Sequence, residues 1–87
     1  MEELIEKIRL EFQIPPYFSN EGLKSYAEEG IARLDFLNPG RDWKKDKTYR
    51  MLLKNYVYYA YHHKVNEWEE NYKCVILSWQ LGSEVLS

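Results

Sequence analysis

Eighty-seven residues, 45% hydrophobic and 30% charged, describe an ordinary folded chain and make intrinsic disorder a poor first guess. The length allows one domain, residues 1–87, whose modest core can bury about two-thirds of the unfolded surface. A net charge of −2 argues against a chain that coats nucleic acid non-specifically, and a single cysteine excludes an internal disulfide framework and any Cys-based zinc site.

Residues 2–12 read as a short helix, with Leu4, Ile5, Ile8 and Phe12 at helical spacing, stopped before Pro15 because a residue preceding proline is pushed out of the α region. Its acidic start, Met1-Glu2-Glu3, lacks the basic flank of a cleaved secretion signal, so the reading is of a chain inside the cell or on a particle, in a reducing compartment. Ser19 or Asn20 is placed to cap a second helix. There Leu23, Tyr26, Ala27, Gly30, Ile31, Leu34 and Leu37 fall within an arc of about 140°. Gly30 interrupts that stripe at a propensity cost of ~1 kcal/mol, which predicts close approach of another helix backbone. Asn38-Pro39-Gly40 ends the helix.

Residues 41–47 form a charged loop around Trp43, and Asp46 can cap a third helix. Between Thr48 and Leu81 there is no glycine or proline, but the apolar phase slips between Leu52/Tyr56/Ala60 and Trp68/Tyr72/Ile76/Trp79. This predicts two helices, or one sharply bent helix, with the change near Asn66. Gly82 reads as a C′ residue followed by a short tail, 82–87. No stretch alternates as a strand does, so the expected fold is all-α, a small bundle of about four helices with no sheet.

No catalytic set emerges. His63 and Glu67 are spaced i, i+4, but a metal site needs three or more convergent ligands and His62 points about 100° away. Cys74, among Val75, Ile76 and Leu77, lacks an adjacent base and reads as a buried small hydrophobe. The four glycines are scattered, so there is no phosphate-cradling loop, and the adjacent carboxylate pairs diverge on their helices. The expectation is a non-enzyme with no cofactor and no metal.

Two features point to partners. Charge is distributed acid–base–acid: residues 1–38 carry eight acids and four bases, 39–64 two acids and seven bases, and 65–87 four acids and one base. Such a layout suits complementary protein surfaces, including copies of the same chain. The basic segment Arg41, Lys44, Lys45, Lys47, Arg50 and Lys54 around Trp43 fits an acidic protein partner; the alternatives are a solvated loop and nucleic acid, held by phosphate contacts and base stacking. The run Tyr56-Val57-Tyr58-Tyr59-Ala60-Tyr61 points all the way around a helix. Either it is a central helix with tyrosine tips emerging, or its aromatic faces finish their burial against another chain; Trp68, Tyr72 and Trp79 on the next helix favour the second. This six-residue run is the longest apolar one, so nothing spans a membrane.

The chain resembles the small head–tail connector, or adaptor, proteins of tailed bacteriophages. The likeness rests on four stretches in order. An opening helix leads into Leu10-Glu11-Phe12-Gln13-Ile14-Pro15. Residues Leu23–Leu34 (LKSYAEEGIARL) resemble the family's LKSYIEEGKARL-like helix, and Leu52–Tyr61 (LLKNYVYYAY) its LLLDYVRYAY-like helix. Trp68–Tyr72 with Ile76–Leu81 resembles its FEENF…ILSLQL-like closing helix. The resemblance implies a helical subunit of the virion neck, assembled in the host cytoplasm. It would form a homo-oligomeric ring of about a dozen copies that extends the DNA channel between the portal protein and a stopper or other tail-side neck protein. DNA would pass through the lumen unbound, so the lining should be neutral or acidic. On this reading Tyr56, Tyr58, Tyr59, Tyr61, Trp68 and Tyr72 are interface anchors, with the tyrosine helix set against the second helix of the next copy. Trp43, Lys44, Lys45, Lys47 and Arg50 would contact a neighbouring subunit or ring.

Overall fold

A computed structural model describes the backbone of residues 1–86 and the side chains of residues 1–82. Among these residues there are four helices and no strand: α1 (Glu2–Glu11), α2 (Asn20–Leu37), α3 (Lys47–Tyr61) and α4 (Val65–Leu86). α3 is the hub, packed on by α2, α4 and α1, whereas α2 and α4 do not pack closely on each other. α4 alone is about 33 Å long at 1.5 Å per residue, and the molecule is drawn out to 43 × 25 × 19 Å.

The ends of α1 and α2 follow from local chemistry. Glu2 and Glu3 sit in the first turn of α1, where carboxylates suit the positive end of the helix dipole. The helix closes with Gln13 in the left-handed region (φ 53°) and the Ile14 N–H donating to the Arg9 carbonyl, a Schellman closure. Arg9 then fastens the connection, donating to the Pro15 and Phe18 carbonyls (2.7 Å each) and to Asn20 Oδ1 (2.6 Å). Ser19, one of the two expected caps, accepts from the Gly22 N–H at 3.0 Å. Gly40, at φ 85°, turns the chain after α2.

The interior explains Gly30. A Cβ there would lie 2.8 Å from Tyr56 Cδ1 and 2.9 Å from Leu53 Cδ1. The close approach predicted at this position exists, but it is made by side chains of α3 rather than by a helix backbone. Asp46 caps α3 with Oδ1, which accepts from the Tyr49 N–H at 3.1 Å, while Oδ2 accepts from Trp79 Nε1 at 2.8 Å. One carboxylate therefore starts α3 and ties it to α4. Tyr49 OH donates to Asp35 Oδ1 at 2.6 Å, Tyr56 OH to Glu29 Oε1 at 2.5 Å, and Trp68 Nε1 to the Leu52 carbonyl at 3.2 Å. No buried side-chain nitrogen or oxygen among the described residues lacks a partner.

Three expectations need correction. The corner between α3 and α4 falls at His62–Lys64 rather than near Asn66. His63 takes the left-handed conformation (φ 58°), and the His63 and Lys64 N–H groups donate to the Ala60 and Tyr59 carbonyls in a second Schellman closure. Gly82 does not end α4, because a C′ glycine must take a positive φ and this one does not; the helix runs on to Leu86. Of the expected 82–87 tail, residue 87 lies outside the described residues. Cys74 is exposed, because it stands roughly 120° around α4 from Trp68 while Tyr72, Val75, Ile76 and Trp79 cluster on the Trp68 side.

Candidate protein interface

Tyr56 and Trp68 are at 0% exposure, with rings in a T-shaped contact at 5.0 Å. As interface anchors they are corrected to core: the Tyr56 ring fills the notch left by Gly30, and both polar tips are already hydrogen-bonded inside the molecule. The tyrosine helix is the enclosed centre of the bundle. It packs most heavily on its own α2, and Tyr56, Val57 and Ala60 are buried there, while Tyr58, Tyr59 and Tyr61 stay half-buried.

Tyr58, Tyr59, Tyr61 and Tyr72 are half-buried and join an aromatic belt at the α3–α4 corner. Tyr58 stacks on Phe12 at 4.5 Å, Tyr59 meets Tyr72 edge-on at 6.1 Å, Tyr61 meets Phe18 at 4.8 Å, and His62 lies against both Tyr58 and Tyr61. Burial, with Tyr59 close by, raises the pKa of the Tyr72 hydroxyl. The belt welds α1, the Phe18 loop, α3 and α4 into one unit. His62 and His63 are exposed, and no cluster of three or more His, Cys, Asp or Glu that could hold a metal occurs among the described residues. No helix of the described residues is long and apolar enough to cross a membrane.

The basic segment lies at the other end of α3. Tyr61 lies eleven helical steps beyond Arg50, about 16 Å along the axis. Trp43 is half-buried against the core, with the Lys44 ammonium 5.8 Å from its ring centroid. Arg50 donates to the Lys44 carbonyl at 3.0 Å, and Lys54 pairs with Glu11 at 2.8 Å. Lys44, Lys45 and Lys47 are exposed, but Glu2, Glu3 and Lys7 border Trp43, Lys44 and Arg50 across a shared hollow. Arg50 and Lys54 are thus engaged within the fold, Lys44 lies over Trp43, and Glu2 and Glu3 stand close to Lys44 and Arg50.

Of the interface residues singled out from the sequence, Trp68 alone borders the surface that is left open. Between α2 and α4 runs an apolar groove enclosing about 670 Å³. Phe36 and Leu77 form its walls, Leu37, Trp68 and Ile76 its floor, and Arg33, Glu69 and Lys73 its charged rim. Phe36 is 84% exposed and Leu77 55%, with Leu81 (52%) one turn further along α4. Two polar links bridge the helices, an Arg33–Glu69 ion pair and a hydrogen bond from Gln80 Nε2 to the Leu37 carbonyl (2.6 Å). The groove is open because both helices pack on α3 instead of on each other. A sequence signal for it exists: Phe36 projects about 80° outside the apolar arc of α2, and Leu77 falls opposite Trp68 on α4. Large apolar side chains off the core face, gathered along one groove, form an exposed apolar patch of the kind that protein, membrane or ligand contacts use.

Comparison with family models, with curated proteins and with solved structures gives no match for this chain.

Proposed function

We propose that this chain is a structural, non-enzymatic subunit of the neck of a tailed bacteriophage. It forms a ring with its own copies, joins the capsid portal to the next neck component and extends the DNA channel. The observation that carries an assembly role is the α2–α4 groove, whose walls Phe36 and Leu77 a single copy leaves to solvent. The neck assignment rests in addition on the ordered likeness of the stretches around Leu10–Pro15, Leu23–Leu34, Leu52–Tyr61 and Trp68–Leu81. Those stretches lie on or beside the helices α1 to α4 in chain order. In this reading the half-buried tyrosines brace the subunit while the groove makes contacts between chains.

The test mixes the purified chain with portal-bearing, DNA-filled capsids and, separately, with duplex DNA at low and moderate salt. Sedimentation of the chain with capsids, and density at the portal vertex in images of them, are the expected results. Salt-sensitive retention on DNA without capsid binding would overturn the reading in favour of a nucleic-acid-binding regulator acting through residues 41–54.

A further inference from the structure

The four helices are held together in two different ways. Polar side chains cross-tie α2, α3 and α4. Between α3 and α2, Tyr49 donates to Asp35 and Tyr56 to Glu29. Between α4 and α3, Trp68 donates to the Leu52 carbonyl, Asn71 to the Tyr59 hydroxyl and Trp79 to the α3 cap Asp46. Between α4 and α2, Gln80 donates to the Leu37 carbonyl and Glu69 pairs with Arg33. Each of these three helices is thus tied to both of the others.

α1 is attached otherwise. It lies on α2 and α3 and seats Leu4, Ile5 and Ile8 in the core. Among the described residues its polar side-chain ties to the other helices are two, Glu11 with Lys54 and Arg9 with Asn20 at the first residue of α2, both at the surface. Its start carries no side-chain cap, and Leu10 on its outer face is 78% exposed. A ten-residue helix is too short to be stable by itself, so α1 is helical only while it is docked.

The docking bonds converge on Arg9. Its guanidinium holds the Pro15 and Phe18 carbonyls and Asn20 Oδ1 together, and its own carbonyl accepts from the Ile14 N–H across Gln13. Gln13 is kept at a positive φ, disfavoured for a residue other than glycine, and is released once that closure is lost. Pro15 and Pro16 lack N–H donors, so the connection cannot fuse α1 and α2 into one longer helix. Phe12 on Tyr58 and Phe18 against Tyr61 pin the connection to α3, which sets the pivot at the base of α1.

We propose that α1 is a hinged cover latched by Arg9: residues 1–11 leave their seat on α2 and α3 while α2, α3 and α4 stay folded. Opening frees the N-terminal segment and uncovers its apolar seat without unfolding the body. The device does not depend on a role in a virion neck.

Native-state hydrogen exchange on the full chain tests it, with Arg9→Ala and Asp46→Ala as variants. In the wild type, protection of the α1 amides around Ile8 should be at least about a hundredfold lower than that of Leu53 and Tyr56 in α3. Arg9→Ala removes three hydrogen bonds and should lower α1 protection at least about tenfold further, with α3 and α4 unchanged. Asp46→Ala unties α3 from α4 and should lower protection in those helices while leaving α1 as it was. Equal protection of α1 and α3 in the wild type overturns the proposal, because the chain then opens only as a whole. So does α1 protection that falls in step with α3 in Asp46→Ala. α1 protection unaltered by Arg9→Ala, or a loss spread evenly over all four helices, removes Arg9 as the latch.

Discussion

α3 and the α2–α4 groove are built from the same kinds of residue and meet opposite fates. α3 carries six apolar residues in a row, and because α1, α2 and α4 all turn apolar faces to it, Tyr56, Val57 and Ala60 are buried and Tyr58, Tyr59 and Tyr61 half-buried. Phe36 and Leu77, two well-separated apolar residues, are left in water because each stands on the outer side of a helix whose inner side is already committed to α3. Apolar density along the chain therefore does not locate an interface. What marks a candidate is apolar area that points away from the helix every other helix uses as its hub.

The sharpest way to break this contrast is to cut into the enclosed side. Trp68→Ala removes a fully buried indole, its hydrogen bond to the Leu52 carbonyl and its edge contact with Tyr56. A loss of about 3–5 kcal/mol is expected, a large share of the total for a domain of this size, read as a lowered denaturation midpoint in urea. A loss under about 1 kcal/mol would mean that Trp68 belongs with the groove walls and that the division drawn here is wrong. Asp46→Ala should come next, at about 2 kcal/mol: it strips the cap from the Tyr49 N–H and withdraws the acceptor from the Trp79 indole. Asp46→Asn, which keeps an oxygen for the cap, should recover part of that loss in the same measurement.

The fold was largely legible because its signals are local. The Leu23–Leu37 stripe, the Ser19 and Asp46 caps and the Asn38-Pro39-Gly40 stop each act within a few residues, and each is present. The α3–α4 corner was placed late because the left-handed position is filled by His63, a residue type that does not announce a C′ position as glycine does. Gly82 misled in the opposite direction, since a glycine ends a helix only where it adopts a positive φ. The candidate site was far less legible. Six consecutive apolar residues show that a helix lacks a polar face but not whether three neighbours surround it, and that depends on how α1, α2 and α4 are arranged in space. Cys74 shows the same failing on a smaller scale, where apolar neighbours in sequence were read as burial.

Tyr56 offers a milder test of the enclosed side through its proton. Burial foremost, then the hydrogen bond to Glu29 and its charge, push the hydroxyl up to about 12 from an ordinary value near 10. The folded state therefore favours the protonated phenol. The resulting stabilisation is complete below pH 10 and is lost as the pH climbs from 10 to 12. Tyr56→Phe should cost about 1 kcal/mol at neutral pH, and the gap between variant and wild type should shrink across that alkaline window in urea titrations. A gap unchanged by pH would place the hydroxyl in solvent, with its ring no longer seated over Gly30.

Phe36→Ser is the smallest change expected in stability and the most telling about the open side. The ring is 84% exposed and the two residues have similar helix propensity, so the denaturation midpoint should stay within about 0.5 kcal/mol of wild type. Yet the same substitution removes one wall of the groove and should weaken self-association in sedimentation. The pairing of outcomes decides the matter. A stability loss above about 1 kcal/mol would show that a single copy already shelters Phe36, whereas unchanged stability with unchanged association would leave the groove open and unused. Unchanged folding with weakened assembly is the combination that follows only if the side of α2 turned away from α3 is completed by another molecule.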